Sequence, residues 1–142
     1  MFAKQLTVFI ENRSGRLAEV LGVLKENNVN ILSLSLADTT EFGLLRLIVD
    51  NAPLGKEKLT EGGFSSLLSD VSIICIPHKA GSLQSLLEVI DKNGINIEYM
   101  YGLSIDGAEA SVVMKASDLD AAQNALTAKG IGFLSSEDTS KM

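Results

Sequence analysis

Gln5-Leu6-Thr7-Val8-Phe9-Ile10 mixes β-branched and aromatic residues in partial alternation, which predicts a strand. Asn12 to Gly15 is turn chemistry. Leu17, Val20, Leu21, Val23 and Leu24 then recur at spacings of three and four. They make one apolar face of a helix that runs from near Ser14 to Asn27-Asn28. Leu32, Leu34 and Leu36 alternate with Ser33 and Ser35 in a second strand, Asn30 to Ala37. Asp38 to Glu41 is a turn and Leu44 to Val49 a third strand. Pro53 to Glu61 predicts a helix with its proline in the first turn, where the missing N–H costs little. Gly62-Gly63 stops it, and Phe64 to Leu68 is a short fourth strand.

The same order comes again. Val71 to Ile76 is a strand, His78 to Gly81 a turn, and Ser82 to Lys92 a helix with Leu83, Leu86, Leu87, Val89 and Ile90 on one face. Strand Ile95 to Leu103 turns at Asp106-Gly107 into strand Ala110 to Lys115. Helix Ser117 to Lys129 opens on Ser117-Asp118-Leu119-Asp120, a cap with acids in its first turn. Gly130 ends it, and strand Ile131 to Leu134 follows. The repetition reaches single residues. Ile10/Ile76, Gly15/Gly81, Leu17/Leu83, Leu21/Leu87, Val23/Val89, Asn27/Asn93, Asn30/Asn96 and Ile31/Ile97 are identical pairs, each 66 positions apart. Internal repetition decides the architecture before any local reading does.

The predicted class is therefore α+β, as two β-α-β-β-α-β units of the ferredoxin-like kind. Residues 1–69 form the first unit, 70–135 the second, and 136–142 a polar C-terminal tail without pattern, expected to be mobile. Each unit makes a four-stranded antiparallel sheet with both helices on one face. Units this small bury little surface alone. The two-residue link Ser69-Asp70 predicts that they abut.

The net charge of −6 divides as −2 over residues 1–70 and −4 over 71–142. Neither half has a basic patch, which argues against a nucleic-acid partner. The lone Cys75 excludes a disulfide within the chain and reads as a small buried apolar residue. With one His and one Cys a zinc site lacks soft ligands, and no metal or cofactor is expected. Asp38, Glu41, Asp106 and Glu109 take the same place in each unit and read as solvated turn acids rather than a cation site. Met1-Phe2-Ala3-Lys4 leads straight into a strand pattern, and no apolar run approaches the ~20 residues of a spanning helix. A cytoplasmic protein that enters no membrane is expected.

The chemistry shared by both copies is the turn into the first helix. Gly15 and Gly81 sit where the chain leaves a strand and enters a helix. Glycine there serves a tight turn, or opens the backbone to a ligand facing the unpaired N–H groups of the helix start. Physics alone leaves both readings open. Asn12 and His78, three residues earlier, could hold a polar group of the same ligand. Asn30 and Asn96 open the second strand of each unit, either as turn residues or with backbone groups offered at a sheet edge. Tyr99 and Tyr101 alternate on the second copy's second strand where the first copy has Ser33 and Ser35. They read as a packed face or as an aromatic wall.

Ile10-x-x-x-x-Gly15-x-Leu17-x-x-Val20-Leu21 followed by Val29-Asn30-Ile31 resembles the ACT domain, a small regulatory module of amino-acid metabolism. Ile76-x-x-x-x-Gly81-x-Leu83-x-x-Leu86-Leu87 with Ile95-Asn96-Ile97 resembles a second one. Many members of that family carry Asp where this chain has Asn12 and His78, and Pro where it has Ser14 and Ala80. The likeness covers nearly the whole chain. It implies a tandem ACT-only protein without catalysis, two units side by side in one eight-stranded sheet with helices on one face, and a free amino acid bound at the seam between them. One site would combine Asn12, Ser14, Gly15 and Leu17 with Asn96 and Ile97; the other His78, Gly81, Ser82 and Leu83 with Asn30 and Ile31. The bare sheet face supports a homodimer, and the output is an allosteric effect on a partner enzyme of amino-acid metabolism.

The alternative is a structural protein that pairs through its sheet with such an enzyme and takes no ligand. An RNA-binding module would share the strand order, but the acidic charge and the lack of paired aromatics on Leu44–Val49 and Ala110–Lys115 count against it. An enzyme would need a nucleophile and base that the sequence does not show.

Overall fold

The computed structural model describes residues 2–38 and 42–142. Of the predicted turn at Asp38 to Glu41, residues 39–41 lie outside them. Seven strands and five helices are formed among the described residues. They divide into two compact units, one of Lys4–Ser69 with Ser136–Met142, the other of Asp70–Ser135 with Met1–Ala3.

The N-terminal unit contains β1 (Ala3–Glu11, all but its first residue), α1 (Arg16–Glu26), β2 (Ile31–Asp38), β3 (Phe42–Val49) and α2 (Ala52–Glu61). β3 pairs antiparallel with β1 on one side and β2 on the other. The register sets Leu6, Leu47 and Leu34 in one row and Val8, Leu45 and Leu36 in the next. Side chains on one row share a face. Leu6, Val8, Leu45 and Leu47 thus face the helices and close a core with Val20, Leu24 and Leu59. Leu34 and Leu36, on the edge strand, stay about half exposed.

The C-terminal unit runs from the second half of β4 (Ser65–Pro77) through α3 (Ser82–Lys92), β5 (Ile97–Asp106), β6 (Glu109–Ala116) and α4 (Leu119–Thr127) to β7 (Gly132–Leu134). Its strands are ordered β7-β4-β6-β5, all antiparallel. Leu86, Ile90, Ala122 and Leu126 pack from the helices onto Ile74, Ile76 and Met114.

The differences from expectation lie at element ends. The predicted strands Phe64–Leu68 and Val71–Ile76 are one strand, β4, so Ser69-Asp70 is strand rather than linker and the described strands number seven, not eight. Val71, Ser72, Ile73 and Ile74 are all buried, and no turn residue interrupts that run. The polar tail carries secondary structure. Ser136–Ser140 forms a short helix, α5, with Thr139 buried, and the Ser136 hydroxyl accepts the Lys4 N–H at 2.9 Å.

The repeat makes its joints with the same atoms twice. The Asn27 side chain donates to the Val23 carbonyl at 2.8 Å, and the Asn93 side chain to that of Val89 at 2.8 Å. The Val23 carbonyl also accepts the Asn27 N–H at 3.3 Å, so in both units the asparagine side chain adds a bond at the helix end, where carbonyls run short of intrahelical donors. The chain then doubles back through a left-handed residue, Asn28 in one unit and Gly94 in the other.

Candidate functional site

The first turn of each unit is built on glycine. Gly15 lies at φ 88°, ψ −14° and Gly81 at φ 88°, ψ −13°. An L side chain rarely adopts that conformation, so glycine is required for the turn itself. A Cβ at either position would meet nothing within 4 Å, so space is not the constraint.

Among the described residues no side chain caps α1 or α3. The Glu19 N–H donates to the Gly15 carbonyl and the Ser85 N–H to that of Gly81, each at 3.0 Å. The Arg16 and Ser82 amides turn back to Arg13 and Lys79. Helix geometry leaves the next two amides of each helix, on Leu17 and Ala18 and on Leu83 and Gln84, pointing along the axis. Such a helix start favours an anion.

Around this common backbone the side chains differ. Beside the Gly81 turn lies a cavity of about 400 Å³. Gly81, Ser82 and Ser85 border it from the turn and α3, Cys75 to Pro77 from β4, and Lys129 and Ile131 from the approach to β7. The Ser82 Oγ is buried and has no hydrogen-bond partner among the described residues. Cys75 is half-buried here rather than fully buried as expected, because it borders this space.

At the matching place in the N-terminal unit Arg16 stands for Ser82 and Phe64 for Ile131. The match with Phe64 is structural. The Phe64 N–H donates to Leu59 O at 2.9 Å just as the Ile131 N–H donates to Leu126 O at 3.2 Å. The Arg16 guanidinium stacks over the Phe64 ring, 4.4 Å from its centroid, and Nη1 reaches Glu19 Oε2 at 2.6 Å. Arg13 pairs with Glu11 at 2.9 Å on the same turn.

The other expected site residues are placed as follows. Asn12 and Ser14 are exposed on the first turn, and Leu17 is half-buried against the core. His78 does not border the Gly81 cavity; it borders a second one, of about 430 Å³, with Ser104 and Ser111. Leu83 is 40% exposed on α3. Asn96 and Ile97 line a groove against Leu87 and Asp91 near the far end of α3. An eleven-residue helix is about 16 Å long. Within one unit, the glycine turn and the opening of the second strand therefore cannot hold the same small ligand.

The paired asparagines also have structural work. The Asn30 N–H donates to Asp50 Oδ1 at 2.9 Å, and the Asp50 N–H returns to the Asn30 carbonyl at 3.0 Å. In the second unit the Asn96 N–H donates to Ser117 Oγ at 3.1 Å, and the Ser117 N–H to the Asn96 carbonyl at 2.8 Å. Their backbones are engaged inside their own units, which leaves the exposed side-chain amides. The next residues cap the helices, Asn51 accepting from the Leu54 N–H and Asp118 from that of Ala121. Tyr99 and Tyr101 stack at 6.5 Å between centroids and are half-buried on β5. No group of three metal-ligating side chains occurs among the described residues, and no helix there is long and apolar enough to cross a membrane.

The model of a protein family, the ACT domain pair, matches residues 1–142. The chain belongs to the ACT domain family. Among solved structures, this ACT pair superimposes on protein BT0572 from Bacteroides thetaiotaomicron with a TM-score of 0.94 at 36% identity, over 100% of this chain and 98% of that one. The regulatory subunit of aspartate kinase from Thermus thermophilus, in a ligand-free form, is similar at 19% identity and a TM-score of 0.64, over 88% and 90% of the two chains. That from Thermus flavus follows at 17% and 0.58, over 90% and 93%. The last two likenesses concern the fold. No curated protein matches. Sequence reasoning named Gly81 and Ser82 but missed Arg16, Phe64, Lys79, Lys129 and Ile131. Aligning the two copies beyond their identical residues would have exposed the Arg16/Ser82 and Phe64/Ile131 exchanges.

Proposed function

We propose that this ACT pair is a regulatory module that senses a free amino acid and has no catalysis of its own. The observation that carries this reading is the uncapped helix start behind Gly81, opening beside a cavity with a buried, unpartnered hydroxyl. A carboxylate satisfies those amides, and the cavity takes a side chain; its volume is at the small end of ligand pockets. The glycine turns supply Asn12, Ser14, Gly15 and Leu17 in one unit and His78, Gly81, Ser82 and Leu83 in the other. The side-chain amides of Asn30 and Asn96, with Ile31 and Ile97, are the further ligand contacts of this reading. The regulatory subunits of aspartate kinase that share the fold support this reading. The effector acts through its different affinity for two states of the assembly, a homodimer or a complex with an enzyme of amino-acid metabolism in the cytoplasm.

A thermal-shift screen against the twenty amino acids at millimolar concentration tests it. A ligand at a hundred times its dissociation constant adds ~2.7 kcal/mol. That moves the midpoint by several degrees in a chain of this size. No stabilisation by any amino acid contradicts the reading and favours the alternative, a scaffold that pairs through its sheet.

A further inference from the structure

The two glycine turns share a backbone but differ in charge pairing. In the N-terminal unit both cations beside the turn are neutralised from within, Arg13 by Glu11 and Arg16 by Glu19, and Arg16 covers Phe64. In the C-terminal unit Lys79 and Lys129 border the cavity and form no ion pair among the described residues. Among the described residues no Asp or Glu lines that cavity; Asp106 and Glu109 line the adjoining one, which shares Cys75, Ile76, Pro77 and Ile131 with it. Ile76, Leu86, Val89 and Ile131 make its walls apolar, and the buried Ser82 Oγ lacks a partner.

A site with two unpaired ammonium groups, an open helix start and no carboxylate selects an anion. Branched apolar walls select an aliphatic body, since burying a charged or amide side chain there leaves it unpartnered. We propose that the Gly81 cavity is the single effector pocket of the chain. It takes a carboxylate carrying a short branched aliphatic group, while Arg16 and Phe64 fill the matching place in the N-terminal unit. The inference rests on the reading of the chain as an effector-binding pair. Two sources offer this chemistry, a branched-chain amino acid and the 2-oxo acid of the same skeleton.

Isothermal titration calorimetry of the full chain with L-leucine, L-valine and 4-methyl-2-oxopentanoate tests it, with L-lysine and L-aspartate as contrasts. The expected result is one branched aliphatic carboxylate per chain. Binding weakens at least tenfold in Lys79→Gln/Lys129→Gln, whose surface exchanges leave the fold intact, and is lost in Ser82→Arg/Ile131→Phe, which copies the N-terminal filling. L-leucine binding under these terms supports both the inference and amino-acid sensing. The oxo acid binding alone upholds the pocket and overturns sensing of an amino acid. Binding of L-lysine or L-aspartate instead, two equivalents per chain, or indifference to the lysine exchanges overturns the inference and leaves amino-acid sensing standing. Heat from none of the five overturns it as well, and the screen against all twenty amino acids then decides the broader reading.

Discussion

The Gly15 and Gly81 turns agree to within a degree in φ and ψ, yet one is bordered by a cavity and the other by a stacked arginine. Both need glycine for the same steric reason and leave two helix amides uncapped. The divergence lies one residue on, where Arg16 replaces Ser82, and across the unit, where Phe64 replaces Ile131. A duplicated fold thus keeps its backbone joints and changes what fills the space beside them. In this ACT pair the joints report on folding, and the filling, on the proposal above, reports on which unit takes a ligand.

The largest test of that division is in the cores. Leu59 and Leu126 hold matching, fully buried positions on α2 and α4. Leu59→Ala and Leu126→Ala should each cost about 2–5 kcal/mol in denaturant unfolding. A loss well below that at one position would mean that the cores are not equivalent. Next come the turns. Gly15→Ala and Gly81→Ala each force a side chain into left-handed backbone, for roughly 1–2 kcal/mol. The two losses should be equal, and only the second should weaken effector binding; unequal losses would show that the backbones are under different constraint.

Removal of the acceptor behind each asparagine should cost less. Asp50→Ala and Ser117→Ala each strip one partner from an Asn N–H, worth about 1 kcal/mol. Denaturation midpoints that do not move would rule out a structural role for Asn30 and Asn96. The smallest effect is expected from Arg16→Ala. Its partner Glu19 is half exposed, which limits what the pair contributes, and its own buried Nε has no hydrogen-bond partner among the described residues; the stack on Phe64 is worth about 0.5–1 kcal/mol. A loss of several kcal/mol would make Arg16 a pillar of the fold rather than a filling.

The repeat was legible because hydrophobic spacing and turn residues recur together, and α3 has the predicted bounds, Ser82–Lys92. The Asn27/Asn93 and Asn30/Asn96 identities were legible as a pattern but not in their roles. Their partners, Val23, Val89, Asp50 and Ser117, emerge only once helix ends and strand ends are side by side. β4 was hidden because two short strand patterns meet at Ser69-Asp70, which resembles a turn in composition. α5 was hidden because its five residues show no apolar period, and its anchor is the Lys4 N–H, far away in sequence. The cavity was not legible at all. Lys79 and Lys129 look like surface charges until the turn and the end of α4 close around one space.

The most direct measurement is amide chemical-shift mapping of the ¹⁵N-labelled chain during titration with L-leucine. The account predicts shifts at Gly81, Ser82, Leu83 and Ile131, with Gly15, Arg16, Leu17 and Phe64 unmoved. Equal shifts at both turns, or shifts at the Gly15 turn alone, would contradict it.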